Sequence, residues 1–502
     1  MKNIVRVISF VLIVSIIFAV FILVSSCDNA QNSSKNNEVN TNAENNDSEN
    51  EQADSENKEA DIPFPHEVRD FDGETFKILI DRQWEQNHLD MVDFDVEAVN
   101  GEPMNDAYYA RNILVEETYN LKLEGIRVDD INGYANKTIK AGLDEYDAFA
   151  PRLLNAGPFA AKGYGVNVLE TILSLKEPWW DQNIINDLSI GGAAYIFAGD
   201  IFIKHYDGIA LLMFNKRLLT DLELESPYSF VNTNQWTMDK FNEMVKTATR
   251  DLNGDGKMDR YDQYGFVTQA DYVTSFINAS GEKIVSKDKD DLPVFTGYSE
   301  KMERVFEKML DVYVDDTYCM HRDAFGRDGG GGQIVQFWIF PEGRSLFYWA
   351  FPRYIDWGLR NMEDDFGILP IPKWDADQPR YYATLNNWHS YTYMMPVTVP
   401  DVDRNAYILD ALAYHGRKII KPAYYDVCLQ RKYTRDDESS AMLDIIFKST
   451  VYDLGTVFGI GGYIGGLEGD LQRNKNNMAS LYEKSLGKIE KDMDKLIEQF
   501  LN

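Results

Sequence analysis

Beyond a polar N-terminal segment, the chain switches between two spacings of apolar residues, and these switches predict strands and helices in turn. Apolar and polar residues alternate over 74–80, 121–126 and 146–150, which is typical of β-strands. Between them, apolar positions recur at helical spacing over 106–119 and 135–142. This order of strands and helices predicts a parallel sheet covered by helices.

Polar residues beside these segments predict where the first helix begins and where a ligand site lies. Asn105 is the predicted cap of the helix over 106–119. Residues 81–88 and 151–157 follow the first and third strands. Because open α/β sheets bind ligands outside the carboxyl ends of their strands, these two segments are the predicted rim of a site.

A second alternation of strands and helices begins near residue 206, so the predicted fold class is α/β throughout the body. Its members are strands at 210–215, Ser345–Ala350 and Phe366–Leu369, and helices at 236–249, 302–313, 406–415 and 481–500. The helix at 236–249 has Thr237 as its predicted cap.

The first 27 residues have the pattern of an export signal. Lys2 and Arg6 form a positive start, an apolar run covers 7–24, and small residues precede Cys27. The run is also long enough to span a bilayer as an uncleaved anchor. The stretch resembles the lipobox of bacterial lipoproteins, which implies a signal peptide over 1–26, lipidation of Cys27 and attachment to a membrane.

Residues 27–62 predict a disordered, acidic, Asn-rich tether. Positions 28–61 contain ten Asn, ten Asp or Glu and two Lys, without an aromatic residue. Such a segment cannot bury enough apolar surface to offset the entropy lost on ordering. The sequence therefore predicts a spacer between the membrane and the folded body.

Composition narrows the classes of partner. The 502 residues carry a formal net charge of −31, which argues against a nucleic-acid partner because phosphate binding needs a basic face. Three cysteines are too few for a disulfide-stapled scaffold. Cys319 and Cys428 could form a disulfide outside the cell or remain free thiols, and the sequence leaves both open.

One loop has the spacing of a calcium site. Oxygen-bearing side chains fall at positions 1, 3, 5, 9 and 12 of residues 251–262, glycine is at position 6, and a main-chain carbonyl would be the ligand at position 7. The predicted ligands are Asp251, Asn253, Asp255, Lys257, Asp259 and Asp262. A structural Ca²⁺ site is the first interpretation, and a metal-free loop of Asx turns is the alternative.

Several segments, in their order along the chain, carry a resemblance to a known family. They are residues 214–219 (FNKRLL), the helix start with Pro227, Trp236, Asp239 and Phe241, residues 343–347 (GRSLF) and residues 366–372 (FGILPIP). Together with the lipobox and tether, they resemble the extracellular solute-binding proteins of ABC importers, family 1, the carbohydrate-biased group. Residues 386–388 (Asn-Asn-Trp) depart from the Gly-Gly turn of many relatives, and the body is longer than usual.

The resemblance implies two α/β lobes, joined by hinge crossovers, that close on a ligand in the cleft between them. By analogy, lobe one comprises 63–205 and 383–422, and lobe two comprises 206–382 and 423–502. The implied protein is a monomer on the outer face of the cytoplasmic membrane. It is expected to bind a sugar, with an oligosaccharide favoured over a monosaccharide, and to deliver it to the transmembrane permease subunits.

A sugar site combines aromatic rings, which stack on C–H faces, with polar groups that bind hydroxyls. Position after a strand or on a crossover selects seven predicted ligand residues: Trp84, Arg152, Asp207, Trp349, Arg353, Trp388 and His389. Replacing Trp349 with Ala is expected to weaken ligand binding without unfolding the protein. Trp179 and Trp180 are predicted to pack in the core.

The sequence leaves other classes of function open. A surface receptor could pass its ligand to a sensor kinase, and the ligand could be a peptide or another polar solute. A glycosidase needs two carboxylates across a cleft, a pair that the sequence cannot place. The chain has no Gly-x-Ser-x-Gly, His-Glu-x-x-His or phosphate-binding motif, so the sequence favours a binding protein over an enzyme.

Overall fold

The computed structural model describes residues 62–81, 94–268, 272–312, 317–321, 338–359, 361–424 and 436–501. The predicted signal peptide, Cys27, the tether up to residue 61, Trp84 and Cys428 lie outside these ranges. Pro63–Asn502 form one compact unit. None of the helices within the described ranges combines the length and the apolar character needed to cross a bilayer.

The first sheet consists of the three strands predicted near the start of the body. β1 (Glu74–Asp81) lies between β2 (Leu121–Val128) and β3 (Ala148–Ala150), and both neighbours run parallel to it. Helices α1 (Pro103–Tyr119) and α2 (Ile131–Lys140) connect the strands. The parallel sheet predicted from the alternating periods is confirmed.

The first helix begins earlier than predicted. Pro103 occupies its first turn, where the fixed φ of proline suits a helix and its missing N–H is not needed. Asn105 is therefore inside the helix, and its Nδ2 donates to the carbonyl oxygen of Ala98 at 2.9 Å. The prediction that Asn105 caps the helix was wrong because a proline was a stronger start signal.

The remaining elements follow in chain order. The strands are β4 (Leu211–Asn215), β5 (Tyr264–Thr268), β6 (Val285–Lys287), β7 (Pro293–Phe295), β8 (Cys319–His321), β9 (Ser345–Ala350), β10 (Phe366–Leu369), β11 (Ala383–Thr384) and β12 (Thr450–Val451). The helices are α3 (Leu153–Ala160), α4 (Gln182–Leu188), α5 (Lys216–Asp221), α6 (Pro227–Asn232), α7 (Met238–Ala248), α8 (Val273–Ala279), α9 (Glu300–Leu310), α10 (Val402–Pro422), α11 (Asp437–Lys448), α12 (Leu454–Val457), α13 (Tyr463–Gln472) and α14 (Met478–Leu501).

In the described ranges, the second sheet has the order β10-β4-β9-β5-β8. β5 runs parallel to β9 and β8, whereas β4 is antiparallel to β9 and β10. β5, which lies between β9 and β8, was not predicted. All five of its residues are buried, so it lacks the alternation that marks a half-exposed strand. β4, β9 and β10 are buried as fully, but each overlaps a segment of the family resemblance, and β5 overlaps none.

The helices of this region follow their local sequence signals. Thr237 caps α7, accepting a hydrogen bond from the amide of Lys240 at 3.4 Å, as predicted. α7 packs on the second sheet, where the ring of Phe241 lies against the rings of Phe266 and Phe347. The core of this region is therefore an aromatic layer between the sheet and its helix.

The two sheets are connected by crossovers that pair with each other. Ile209 and Leu385 form an antiparallel bridge, and the amide of Asn386 donates to the carbonyl oxygen of Gly208 at 2.8 Å. A Cβ atom at Gly208 would lie 2.4 Å from Ser390 Oγ, so the glycine permits this close approach. β11 continues this connection by pairing in parallel with β12.

A buried carboxylate ties the crossover to the second region. Asp453, 3% exposed, accepts hydrogen bonds from the amides of Ile284 and Val285 and from Asn278 Nδ2. Thr384 Oγ1 in β11 donates to Asn278 Oδ1 at 3.0 Å. Burial raises the pKa of Asp453, and the donors around it oppose this change.

The residue bounds of the two lobes, 63–205 with 383–422 and 206–382 with 423–502, stay a prediction.

A second buried carboxylate gathers the two tryptophans predicted to pack in the core. Asp410 Oδ1 on α10 accepts from the indole nitrogens of Trp179 and Trp180 at 2.7 and 2.9 Å. Asp410 Oδ2 lies 2.8 Å from His66 Nε2 and accepts from the amide of Ser174 at 3.2 Å. The packing role of the two tryptophans is confirmed.

Candidate ligand-binding site at the strand ends

Arg152 is held at the carboxyl edge of the first sheet by an ion pair. Its Nε and Nη2 lie 3.2 and 3.1 Å from Asp81 Oδ2, and both residues are 2% exposed. Asp81 is the last residue of β1, and Arg152 follows β3. Asp81 belongs to the predicted rim segment 81–88, although the sequence did not single it out.

His389 accepts a hydrogen bond from a residue that follows a strand of the second sheet. Arg353, which follows β9, has its Nη1 at 2.9 Å from His389 Nδ1. A guanidinium can only donate, so Nδ1 is the acceptor and the neutral ring carries its proton on Nε2. The pKa of His389 lies well below its usual value because the ring is buried and because the positive charges of Arg353 and Arg152 disfavour protonation.

The structure thus brings three of the predicted ligand residues together from different parts of the chain. Arg152 and Arg353 follow strands of different sheets, and both act electrostatically on His389. Main-chain hydrogen bonds hold the returning crossover beside β3. The amide of Leu153 donates to the carbonyl oxygen of Ser390 at 2.8 Å, and that of Thr392 donates to Pro151 at 3.0 Å.

Trp349 is a core residue in this structure. It is 1% exposed, and its ring stacks on Tyr272 with centroids 3.4 Å apart and planes 21° apart. Phe351 approaches it edge-on at 4.4 Å. Truncating a buried Trp to Ala costs about 3–5 kcal/mol. Trp349→Ala should therefore destabilise the protein, contrary to the expectation from the sequence.

The remaining predicted ligand residues differ in exposure. Trp388 is 49% exposed, on the turn of the returning crossover next to His389. Asp207 is 7% exposed and accepts a hydrogen bond from the hydroxyl of Tyr424 at 2.8 Å. It directly precedes Gly208, so it belongs to the paired crossovers.

Sequence reasoning missed two aromatic residues that position this site. Tyr272 covers Trp349, and Phe351 has its ring centroid 5.3 Å from that of His389. Phe351 directly follows a predicted strand, so the strand-end rule could have found it. Tyr272 follows β5, which has no alternating pattern, and no signal in the sequence pointed to it.

Two surface pockets lie away from these residues. One, of about 340 Å³, is lined by the amino end of β1 and includes Lys77, Asp147 and Arg404. The other, of about 680 Å³, lies between α9 and Trp374. Neither contains a predicted ligand residue, and strand-end chemistry is a better guide to the site than pocket size.

The loop over 251–262 is closed by its own hydrogen bonds. Asp251 Oδ1 and Oδ2 accept from the amides of Gly254 and Gly256 at 2.7 and 2.8 Å, which lowers the pKa of Asp251. Gly256 has a φ of +78°, the turn for which glycine was predicted. Asp262 is fully buried and accepts from the amide of Leu252 at 2.9 Å.

Three further side chains of the loop use the same local bonding. Oδ1 atoms of Asn253, Asp255 and Asp259 each accept from the amide two residues ahead, at 2.8–2.9 Å. Within the described ranges, no group of three or more His, Cys, Asp or Glu side chains is arranged to hold a metal ion. Because a carboxylate has about four acceptor sites, these contacts leave acceptor capacity for a cation, and calcium stays a prediction.

Comparison with solved structures identifies the fold. A cyclic α-maltosyl-1,6-maltose binding protein from Arthrobacter globiformis matches with a TM-score of 0.57 at 9% identity, over 84% of this chain and 98% of its own. An ABC substrate-binding protein from Listeria monocytogenes in complex with cycloalternan matches with a TM-score of 0.54 at 14% identity, over 84% and 100%.

A third match is an ABC transporter solute-binding protein from Agrobacterium radiobacter in complex with ribitol, with a TM-score of 0.51 at 15% identity over 84% of this chain and 100% of that protein. No protein-family model and no curated protein sequence matches the chain. The chain has the two-lobed α/β fold of ABC transporter solute-binding proteins, so the fold implied by the sequence resemblance is confirmed.

The depressed pKa of His389 predicts a pH dependence of stability. The unfolded state takes up a proton at this residue near pH 6.5, whereas the folded state does not until lower pH. The free energy of unfolding should therefore fall as pH falls below about 6.5, by about 1.4 kcal/mol per pH unit from this residue. The free energy of unfolding, measured by denaturant unfolding at several pH values between 7.5 and 5, should depend less steeply on pH for His389→Asn than for the wild type.

The other buried histidines are present in both proteins, so their contributions cancel in this comparison. Burial also lowers the pKa of His205 and lowers that of His415 to about 4. Equal slopes for the wild type and His389→Asn would show that His389 is protonated as readily in the fold as in the unfolded chain.

Calcium binding at the loop predicts a stability gain that depends on its carboxylates. Calcium at 100 times its dissociation constant would add about 2.7 kcal/mol over the protein in EDTA. Asp255→Ala should reduce this gain, whereas Asp494→Ala, an exposed position of α14, should leave it unchanged. Equal melting temperatures of the wild type in calcium and in EDTA would favour the metal-free alternative.

Proposed function

We propose that the chain is the membrane-anchored solute-binding component of an ABC importer and that it binds a carbohydrate by closure of its two lobes. The observation that carries this proposal is the meeting of Arg152 and Arg353, from the strand ends of two different sheets, around His389 on the returning crossover. This is where the strand-end rule places a ligand in an α/β fold.

Closure follows from contacts that a ligand makes with both lobes. A ligand that contacts groups of both sheets binds more tightly when the lobes are close than when they are apart, so it shifts the population toward the closed form. The paired crossovers connect the two sheets, so a change in the angle between the lobes would be absorbed there. A closed, loaded form is what a permease would recognise.

A carbohydrate fits the chemistry of these residues. Trp388 presents a large exposed ring, and Arg353, His389 and Arg152 supply several donors nearby. Sugars combine apolar C–H faces with many hydroxyls, so they use both kinds of group. Proteins with the same fold have been solved with cycloalternan and with ribitol, which supports polyhydroxy compounds as the first class to test.

The N-terminal segment supports the proposed location. A lipid on Cys27 would hold a monomer on the outer face of the cytoplasmic membrane, beside the permease subunits, with residues 28–61 as the spacer.

In a bacterial host, the wild type should be recovered with membranes, and Cys27→Ala should lose the lipid and the mass of its acyl chains. Equal masses at the mature N-terminus would contradict lipidation.

A thermal-shift screen of the full chain against glycans and polyols tests the binding function. A ligand at 100 times its dissociation constant adds about 2.7 kcal/mol, which should raise the melting temperature by at least about 2 °C. Trp388→Ala should weaken the binding of that ligand about tenfold, or about 1.4 kcal/mol, in calorimetry because it removes the exposed ring of the site.

Trp338→Ala is the matched control for this change. Trp338 is 48% exposed, nearly the same as Trp388, but it precedes β9 and lies toward the amino end of that strand. Its replacement should leave affinity unchanged within about twofold. A flat response of the wild type to the whole panel would contradict the carbohydrate proposal, and products released from a glycan would indicate an enzyme instead.

A further inference from the structure

Two neighbouring strands of the second sheet end in buried polar atoms that have no hydrogen-bond partner among the residues that the structure describes. Thr268 is the last residue of β5, and Trp349 is the last but one residue of β9. The unsatisfied atoms are Thr268 Oγ1 and Trp349 Nε1. Thr268 is 0% exposed and Trp349 is 1% exposed. Buried polar atoms are almost always hydrogen-bonded, because leaving one unsatisfied costs stability.

The register of the strands places these two residues side by side. β5 and β9 run parallel, with Phe266 opposite Phe347 and Val267 opposite Tyr348. The next step along both strands sets Thr268 opposite Trp349 at the carboxyl edge of the sheet. Side chains on paired positions point to the same face, so the two side chains that carry the unsatisfied atoms are neighbours on one face of the sheet.

The aromatic neighbours of Trp349 decide how it can contact a ligand. Tyr272 stacks on the indole with ring centroids 3.4 Å apart, and Phe351 packs against it edge-on. The face covered by Tyr272 cannot stack on a sugar. The packing instead fixes the ring in one orientation and leaves its N–H, a donor, without a partner in the described part of the chain.

Unsatisfied buried atoms also occur elsewhere in the described ranges, at the hydroxyls of Tyr381 and Tyr463, for example. Those two tyrosines lie on different elements, one just before β11 and the other at the start of α13. Thr268 and Trp349 differ because they are adjacent, because they end parallel strands, and because they lie at the edge where this class of sheet binds ligands. A shared ligand is therefore a better explanation for this pair than for the isolated tyrosines.

We propose that Thr268 and Trp349 together form a hydroxyl-binding pair within the ligand site. Trp349 Nε1 donates to one hydroxyl of the ligand, and Thr268 Oγ1 exchanges a hydrogen bond with a neighbouring hydroxyl. Both groups are uncharged, so the pair selects a neutral polyhydroxy ligand with adjacent hydroxyls over a charged one. The proposal rests on the proposed binding function and changes the role of Trp349 from a stacking surface to a hydrogen-bond donor.

The test uses the full chain with Thr268→Val and Trp349→Phe. Valine has the shape of threonine without its hydroxyl, so the ligand-free protein should be as stable as the wild type or more stable. Phenylalanine keeps an aromatic ring against Tyr272 and removes the N–H. The probes are cycloalternan, ribitol and α-D-tagatose, and each variant should bind the wild type's probe at least about tenfold more weakly in calorimetry.

Thr138→Val is the matched control. Thr138 is buried on α2, but its Oγ1 donates to the carbonyl oxygen of Tyr134 at 3.0 Å and lies 3.0 Å from the hydroxyl of Tyr146. Removing this satisfied hydroxyl should lower the melting temperature and leave affinity unchanged. The opposite signs of the two Thr→Val changes separate a ligand-binding hydroxyl from a structural one.

Each alternative result has a distinct meaning. If the wild type binds a probe and Thr268→Val binds it equally well, the inference is overturned and the proposed function stands. If Thr268→Val instead lowers stability with unchanged affinity, Oγ1 serves an internal water, and the inference is likewise overturned. If the wild type binds no probe, the proposed function fails, and the inference fails with it.

Discussion

The pairing of the two crossovers is the constraint on which the site depends. Gly208 and Ile209 on one crossover bond to Asn386 and Leu385 on the other, and the lack of a side chain at Gly208 allows Ser390 to pack against it. Past this point the returning crossover runs beside β3. His389 is consequently held where residues from both sheets can reach it, and neither sheet alone would create that place.

Buried polar groups follow two different patterns in this molecule. Asp453 and Asp410 are each surrounded by donors from distant parts of the chain, so each stabilises the fold by joining segments. Thr268 and Trp349 are buried at a strand edge, and the side-chain polar atom of each has no hydrogen-bond partner in the described ranges. The two carboxylates therefore join distant segments of the fold, whereas the strand-end pair is available to a ligand.

Local charge at the site differs from the charge of the whole chain. The chain carries −31, yet His389 stays neutral because burial and the positive charges of Arg353 and Arg152 oppose its protonation. Asp81 partly offsets Arg152 through their buried ion pair. Short-range contacts at the strand ends therefore set the chemistry of the site, and the net charge bears on long-range steering and solubility instead.

The sequence by itself determined those features that arise from neighbouring residues. Short apolar runs placed β9 and β10 at their observed bounds, and the hydroxyl of Thr237 marked the start of α7. The strand-end rule also selected Arg152 and Arg353, because it needs only the strand and the residues after it. Periodicity and capping act within a few residues, so a single sequence carries them.

Only the tertiary structure decided what depends on distant residues. β5 has no alternating pattern and overlaps no segment of the family resemblance, so neither the strand nor the residues at its end, Thr268 and Tyr272, were predicted. The sequence marked Trp349 as a ligand residue, and only the tertiary structure shows that Tyr272 stacks on its ring. The contact of Arg353 with His389 likewise requires the crossovers to pair, and spacing along the chain does not report which segments meet.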